Sequence, residues 1–444
     1  MWPFRKQGRR SRIDATHPHV LIIGNGITGI TAALQIRRNQ PTWKITVISG
    51  ESQYFYSRPA LMYLFMGHMR SSDLRPYSND KWPDQEIDLI HKWVMSVNVD
   101  QKTVALDDGR TIRFDKLLLA TGSQPNRFGW PGQSLKQVQG LYSLQDLEKL
   151  EETIPSVKTA VIVGGGLIGV ELAEMLHSRK RHVVILCREE LYWDNVLPTD
   201  EARLVTNVIR EHGIEVRLST ELKRIVGDEG NNVVSVELND SEEIACEFVG
   251  LTAGVHPNID LIKPTKIAYE KGILVDSSFR TSIKDIFAAG DCAQFLDPDS
   301  GQVPIEQLWY TGKKHGEVVG DVISGQRRTY QRGVWFNSAK FFDLEYQTYG
   351  QVPSAQEQRP ELRQYWWSDN KRRGLRIVCD LDQKVIGMNA LGIRHRHQVW
   401  NQWLEEKKSM DFVLDHLKEA EFDPEFYATC AEDISSQFRN ERQQ

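Results

Sequence analysis

The chain has 444 residues, 26% charged and 40% hydrophobic, and its 55 Lys and Arg against 60 Asp and Glu leave a net charge of −5. At about 150 residues per domain that length suits roughly three globular units, and no run of about 18 apolar residues offers a membrane span. A slightly acidic chain lacks the basic face that displaces counterions, so no nucleic-acid partner is expected. The five cysteines (Cys187, Cys246, Cys292, Cys379 and Cys430) lie far apart, with no CxxC or CxxxxC. That spacing argues against a disulfide framework, an iron–sulfur cluster or a structural metal site, and suits a reducing, cytoplasmic compartment.

In chain order, Met1–Arg12 carries Arg5, Lys6, Arg9, Arg10 and Arg12 and no acid. Without an apolar segment behind it, this is expected to be a basic tail (1–17) rather than a secretory signal, with a foot on an anionic membrane as the alternative. The apolar run His19–Ile23 then enters Gly24-x-Gly26-x-x-Gly29 and a helical pattern at Ile30, Ala33 and Leu34. A second buried strand follows at Ile45–Ile48. Further on, Asp107-Asp108-Gly109 marks a hairpin between Thr103–Leu106 and Thr111–Phe114. Leu117–Leu119 is a strand ending in Ala120-Thr121-Gly122.

The first pattern then recurs. Ala160–Val163 leads into Gly164-Gly165-Gly166-Leu167-Ile168-Gly169, a helix with Val170, Leu172, Ala173 and Leu176, and the strand Val183–Leu186. Both are strand, glycine turn, helix and strand, the unit that binds dinucleotides. In each, the first glycine permits the turn, the second lets backbone approach a pyrophosphate, and the third packs helix against strand. The free N–H groups of the helix start hold the anion. Glu51 stands where an acid binds a ribose hydroxyl, whereas the second unit has Cys187 and Arg188 there. Arg188 suits a 2′-phosphate and leans that site towards NADP(H), with Glu189 and Glu190 pulling the other way. A last glycine landmark is Gly290-Asp291, and after Gly325 glycines thin out while aromatics gather, from Trp335 to Trp403. The pair His395 and His397, alternating with Arg394 and Arg396, is expected on a solvated strand or loop face, its alternative being a metal pair.

Four ordered motifs, Gly24–Gly29, Ala120–Gly122, Gly164–Gly169 and Gly290-Asp291, make the chain resemble the pyridine nucleotide–disulfide oxidoreductase superfamily over about Val20 to Gly325. The resemblance implies an α/β fold with two Rossmann-like three-layer domains, one for FAD and one for NAD(P)H, the second inserted in a split first. The expected divisions are 18–140 and 263–328 for FAD, 141–262 for NAD(P)H, and 329–444 for a C-terminal α+β interface domain with a polar helical tail. By the same likeness FAD would be held by Gly24, Gly26, Ile27, Thr28, Gly29, Glu51, Arg58, Ala120, Thr121, Gly122, Gly290 and Asp291. NAD(P)H would be held by Gly164, Gly166, Leu167, Ile168, Gly169, Glu171, Arg188 and Gly254, with Glu171 near the nicotinamide.

The stretch Gly50-Glu51 to Ser57-Arg58-Pro59-x-Leu61 is similar to the ferredoxin-reductase and nitrite-reductase branch, although Tyr63 stands where those reductases often carry lysine. Tyr54–Met66 contains no cysteine, so thiol–disulfide chemistry is disfavoured. The implied activity is hydride transfer from NAD(P)H to the flavin, then electrons to a ferredoxin- or rubredoxin-like protein or a quinone. No side-chain acid or base is assigned as catalytic, because the flavin carries the chemistry. The alternatives are a peripheral membrane NADH–quinone reductase and a flavin-bound NAD(P)H sensor or scaffold with little turnover. A homodimer stays open. The apolar run Ala60–Met66 is expected to be a buried helix, its alternative being a channel wall for an apolar acceptor.

Overall fold

A computed structural model describes residues 16–298, 303–369, 371–422 and 429–443, so the basic stretch Met1–Arg12 lies outside the described residues. Contacts divide the chain into two compact units. The first comprises the chain up to Pro125, Tyr142–Leu147 and Val255–Gln331. The second comprises Asn126–Leu141, Glu148–Gly254 and Arg332–Gln444.

In the first unit five parallel strands lie in the order Ile286–Ala288, Lys116–Leu119, His19–Ile23, Lys44–Ser49 and Ile87–His91. A parallel sheet covered on both faces needs strands apolar on both faces, which is why the inner strands read as hydrophobic runs, whereas the edge strand Ile87–His91 carries exposed Asp88 and His91. Leu21, Ile22, Ile45, Ile48, Leu117 and Leu118 are all completely buried. The expected hairpin forms between Thr103–Leu106 and Thr111–Arg113, with Gly109 at φ +82° in the turn. The Ala60–Met66 run contains a short helix, Leu61–Phe65, with Leu61, Met62 and Phe65 buried, which agrees with the packing expectation.

Segments almost 300 residues apart meet in this unit through two helices, Ile27–Asn39 and Trp309–Ile323. The second carries Gly312, Gly316 and Gly320 at four-residue spacing, and these lie against the first. A Cβ at Gly316 would stand 2.6 Å from the Thr28 carbonyl oxygen, and one at Gly320 would stand 2.7 Å from the Gln35 Cβ. The Thr28 hydroxyl donates to the Gly312 carbonyl at 2.9 Å. The two backbones therefore approach more closely than any side chain on that stripe would permit.

The second unit repeats the parallel arrangement in the order Glu215–Arg217, His182–Leu186, Thr159–Val163, Phe248–Leu251 and Val138–Gln139. Its C-terminal part is an antiparallel sheet ordered Phe336–Phe341, Leu344–Gly350, Val385–Leu391, Gly374–Cys379 and Arg363–Ser368. Helices His397–Glu405, Met410–Ala420 and Ala431–Gln443 supply Trp400, Trp403, Leu417, Ile434 and Phe438 to the core over that sheet. A buried ion pair ties the sheet to the helix Thr199–Glu211: Arg376 meets Glu201 at 2.5 Å and Asp200 at 2.9 Å. One expectation is corrected here. His395 does not lie on a solvated face but is 2% exposed, its Nδ1 accepting from the Trp400 indole at 2.9 Å. Burial pushes this imidazole down to about 4, so it stays neutral and serves as a core acceptor. Among the described residues no helix is long and apolar enough to cross a membrane.

The glycine stripe sets helix propensity against packing. Gly to Ala in a helix interior is ordinarily stabilising by about 1 kcal/mol, whereas overpacking a close contact costs about 1–3 kcal/mol. Gly316→Ala is therefore expected to lower the melting temperature, and an unchanged or raised value would show that the two helices have room to spare.

Candidate functional site

The first unit holds a cavity of about 770 Å³ whose lining is drawn from eight separate stretches of chain. Gly24 turns at φ +110°, with the Ala120 carbonyl oxygen only 2.0 Å from where its Cβ would be. Gly29 is pressed against the Gly24 carbonyl oxygen in the same way, at 2.0 Å. Gly26 has nothing within 4 Å of its Cβ position and faces open space. These are the separate duties expected of the three glycines, and the gap at Gly26 is what a pyrophosphate lying flat on the turn requires. Behind it starts the helix Ile27–Asn39, whose first N–H groups have no partners within the helix.

A string of polar contacts runs along this cavity. Tyr56 and Arg58 both bind the Glu51 carboxylate, with Arg58 Nη2 at 2.8 Å, and the Leu144 N–H reaches it at 3.3 Å. Burial alone would raise the Glu51 carboxyl, but Arg58, Tyr56 and Leu144 outweigh it and hold the group below its ordinary value. Its Oε1 takes three of these donors and Oε2 one, so Oε2 keeps room for a further hydroxyl. Arg58 also donates to the Tyr142 carbonyl and stacks on its ring, 4.2 Å from the centroid. The Tyr142 hydroxyl accepts from the Ser123 N–H at 3.1 Å, and the Ser123 hydroxyl donates to Asp291 at 2.9 Å. Burial raises the Asp291 carboxyl, against the hydrogen bond from Ser123.

The second unit holds a cavity of about 490 Å³ built on the second glycine turn. Gly164 turns at φ +128° against the Thr252 carbonyl, Gly169 packs on the Gly164 carbonyl oxygen, and Gly166 again faces open space. Gly165 is required for another reason: a Cβ there would lie 2.5 Å from the Cys187 Sγ and 3.6 Å from Glu189 Oε2. The Tyr192 hydroxyl fixes the turn by donating to the Gly166 carbonyl at 2.8 Å. Arg188 is mostly exposed and its Nε donates to Glu189 Oε1 at 2.8 Å, while the Cys187 thiol donates to Glu189 Oε2 at 3.3 Å. Burial works to raise Glu189, yet Arg188 and Cys187 hold it below its ordinary value, so it stays ionised.

Of the residues singled out from sequence, the structure gathers Gly24, Gly26, Ile27, Thr28, Glu51, Arg58, Ala120, Thr121, Gly122, Gly290 and Asp291 around the first cavity. It gathers Gly164, Gly166, Arg188 and Gly254 around the second. Gly29 packs behind its turn, and Leu167, Ile168, Gly169 and Glu171 lie outside the lining of the second cavity. Sequence reasoning missed Trp93, Met95, Ser123, Tyr142 and Asn258 in the first, and Phe128, Trp130, Trp193 and Glu221 in the second. Trp93 and Phe128 carry one usable signal, being large aromatics in short polar or turn-rich surroundings; both are more than half exposed.

Each unit thus holds a cavity built on a strand, glycine turn and helix of the dinucleotide-binding kind. The chain belongs to the pyridine nucleotide-disulphide oxidoreductase family, whose model matches residues 18–316, and it uses FAD and NAD(P)H. A ferredoxin–NAD(P)(+) reductase from a Sphingomonas species is 29% identical over 342 residues, covering 76% of this chain and 81% of that protein. An NADH–rubredoxin oxidoreductase from Clostridium acetobutylicum is 29% identical over 406 residues, covering 90% and 99%. The solved structure of an NAD-dependent persulfide reductase from A. fulgidus superposes with a TM-score of 0.84 at 24% identity, covering 96% of this chain and 84% of that one, which establishes the fold.

Glu171 provides a pH test of the second unit. Burial, and then Glu174, push its carboxyl up to about 7 from an ordinary 4.5. A carboxyl raised on folding contributes stability below its unfolded value and loses it as pH climbs through the folded one. The melting-temperature gain of Glu171→Gln over the parent should thus be negligible near pH 4.5, grow with pH and level off above about 7. A gain that shrinks as pH rises would contradict this placement.

Proposed function

We propose that the chain is an NADH-dependent flavoprotein reductase whose acceptor is a small iron–sulfur redox protein of the ferredoxin or rubredoxin kind. The observation that carries this reading is the lining of the first cavity, where no cysteine occurs among the described residues. With no thiol beside the flavin to relay electrons, the acceptor must meet the flavin itself. The names of the relatives, ferredoxin and rubredoxin reductases, supply the acceptor's class.

In this reading the turn Gly24–Gly29 and the helix start behind it hold the FAD pyrophosphate, Glu51 Oε2 accepts from a ribose hydroxyl, and Trp93 stacks on the adenine. Arg58 keeps Glu51 ionised and oriented, and Asp291, held by Ser123, takes the ribityl side. In the second cavity Gly164–Gly169 holds the NADH pyrophosphate. Bound FAD supplies the exchange between the two-electron chemistry of a nicotinamide and the one-electron chemistry of an iron–sulfur centre. The protein's share is to bind, orient and select.

Selection rests on Glu189. Its carboxylate lies beside the second glycine turn and is ionised, so it accepts from a ribose 2′-hydroxyl and repels a 2′-phosphate. Arg188, whose charge by itself would favour NADP(H), has its guanidinium engaged by that same carboxylate. Glu189→Gln should raise the kcat/KM ratio of NADPH over NADH by roughly 10-fold, the scale of one charge-assisted contact. An unmoved ratio would remove Glu189 as the selector.

The acceptor is tested by following cytochrome c reduction with NADH and the flavin-loaded protein. The rate should rise and saturate with added ferredoxin or rubredoxin. If neither changes it, while a disulfide substrate consumes NADH, the acceptor assignment is wrong.

A further inference from the structure

Behind the Gly290-Asp291 turn lies a buried polar group that neither cavity uses. Gly290 has φ +80°, and a Cβ there would stand 2.6 Å from the Thr28 hydroxyl, so the turn is wedged against the first glycine motif. On its inner side the Gly290 N–H donates to Nδ1 of His315 at 3.2 Å. An accepting Nδ1 places the ring proton on Nε2, which faces Glu306 Oε2 at 3.3 Å. The Tyr330 hydroxyl donates to that same Glu306 oxygen at 2.6 Å. His315 is 1% exposed and is enclosed by the rings of Phe279, Phe295 and Tyr330.

Burying a histidine and a glutamate together is costly unless each polar atom is engaged. Three residues are nonetheless committed to supporting one backbone N–H of the motif that carries Asp291. We propose that His315 is a positioning residue for the flavin: its unprotonated Nδ1 holds the Gly290-Asp291 turn in the cofactor-binding conformation, with Glu306 facing its Nε2 and Tyr330 bonded to Glu306. The inference rests on the assignment of FAD to the first cavity.

The consequence is chemical. An imidazolium has no acceptor, so protonating His315 would set two donors against each other at Gly290 and release the turn. Burial holds the imidazole below its ordinary value, opposed by Glu306 and Asp291 and assisted by Lys314. At neutral pH the acceptor is therefore present. Acid removes it, and flavin affinity falls with it. Asp291 and Glu51 face the same cavity and also titrate in acid, so the His315 share has to be isolated by substitution.

The test measures FAD affinity of the full chain from recovered flavin fluorescence between pH 4 and pH 8, with the flavin circular dichroism signal recorded alongside. His315→Leu should weaken FAD binding roughly 10-fold at pH 7, the scale of a buried N–H left unpaired. His315→Gln, whose amide oxygen accepts from Gly290 but does not titrate, should restore affinity and the dichroism signal. It should also shift the acid-driven release of FAD to lower pH. Retained affinity in His315→Leu, or an acid profile in His315→Gln that superimposes on the parent, would overturn the inference. Should His315→Leu fail to fold, judged by melting and by NADH binding, the His315→Gln profile decides alone. A parent chain that holds no FAD would instead overturn the assignment on which the inference rests.

Discussion

The first unit depends on how closely two helices can lie. Ile27–Asn39 begins at the turn that faces the first cavity, and Trp309–Ile323 begins beyond the Gly290-Asp291 turn, nearly 300 residues later. Gly312, Gly316 and Gly320 remove the side chains that would hold them apart, and the hydroxyl of Thr28 bonds directly to the Gly312 backbone. The packing around Gly290 at one end of this cavity sits beside that approach. Thr28 reaches Gly290 across it, and the buried group around His315 supports Gly290 from the other side. Backbone contact of this kind tolerates little adjustment, because protein interiors are close-packed and do not yield continuously.

The polar string Glu51–Arg58–Tyr142–Ser123–Asp291 makes the same point for electrostatics. Its carboxylates sit at opposite ends and are pushed in opposite directions. Glu51, clasped by a guanidinium and a phenol, is held low. Asp291, which receives one hydroxyl in buried surroundings, is pushed up. One end is thereby suited to accept from neutral ribose hydroxyls, and the other lies where a change of charge on a neighbour is felt through a low dielectric. In the second cavity the carboxylate of Glu189, held ionised by Arg188 and Cys187, is the group proposed to distinguish two nucleotides that differ by a phosphate.

Much of this architecture is legible in the amino-acid sequence. The two glycine turns are local: a few consecutive residues carry the turn, the open gap and the packing contact, so spacing alone discloses them. Apolar runs announce the central strands of both parallel sheets, and turn chemistry announces the Asp-Gly hairpin. What the sequence hides depends on distant pairing. Tyr142 lies 84 residues from Arg58, and Ser123 lies 168 from Asp291. Neither residue has a local pattern that marks it. The polar arginines beside His395 point to a solvated face, whereas the indole of Trp400 and the helices above it bury the ring. Arg188 has the charge of a phosphate ligand, but the very next residue, Glu189, engages its guanidinium.

The central claim is that reducing equivalents enter at the second glycine turn from NADH and reach a flavin held in the first cavity. Anaerobic titration of the flavin-loaded protein, followed at the flavin absorption band, tests it most directly. The account predicts bleaching by one equivalent of NADH, much faster than by NADPH. A flavin that stays oxidised with both nucleotides, or that NADPH reduces as readily as NADH, would contradict it.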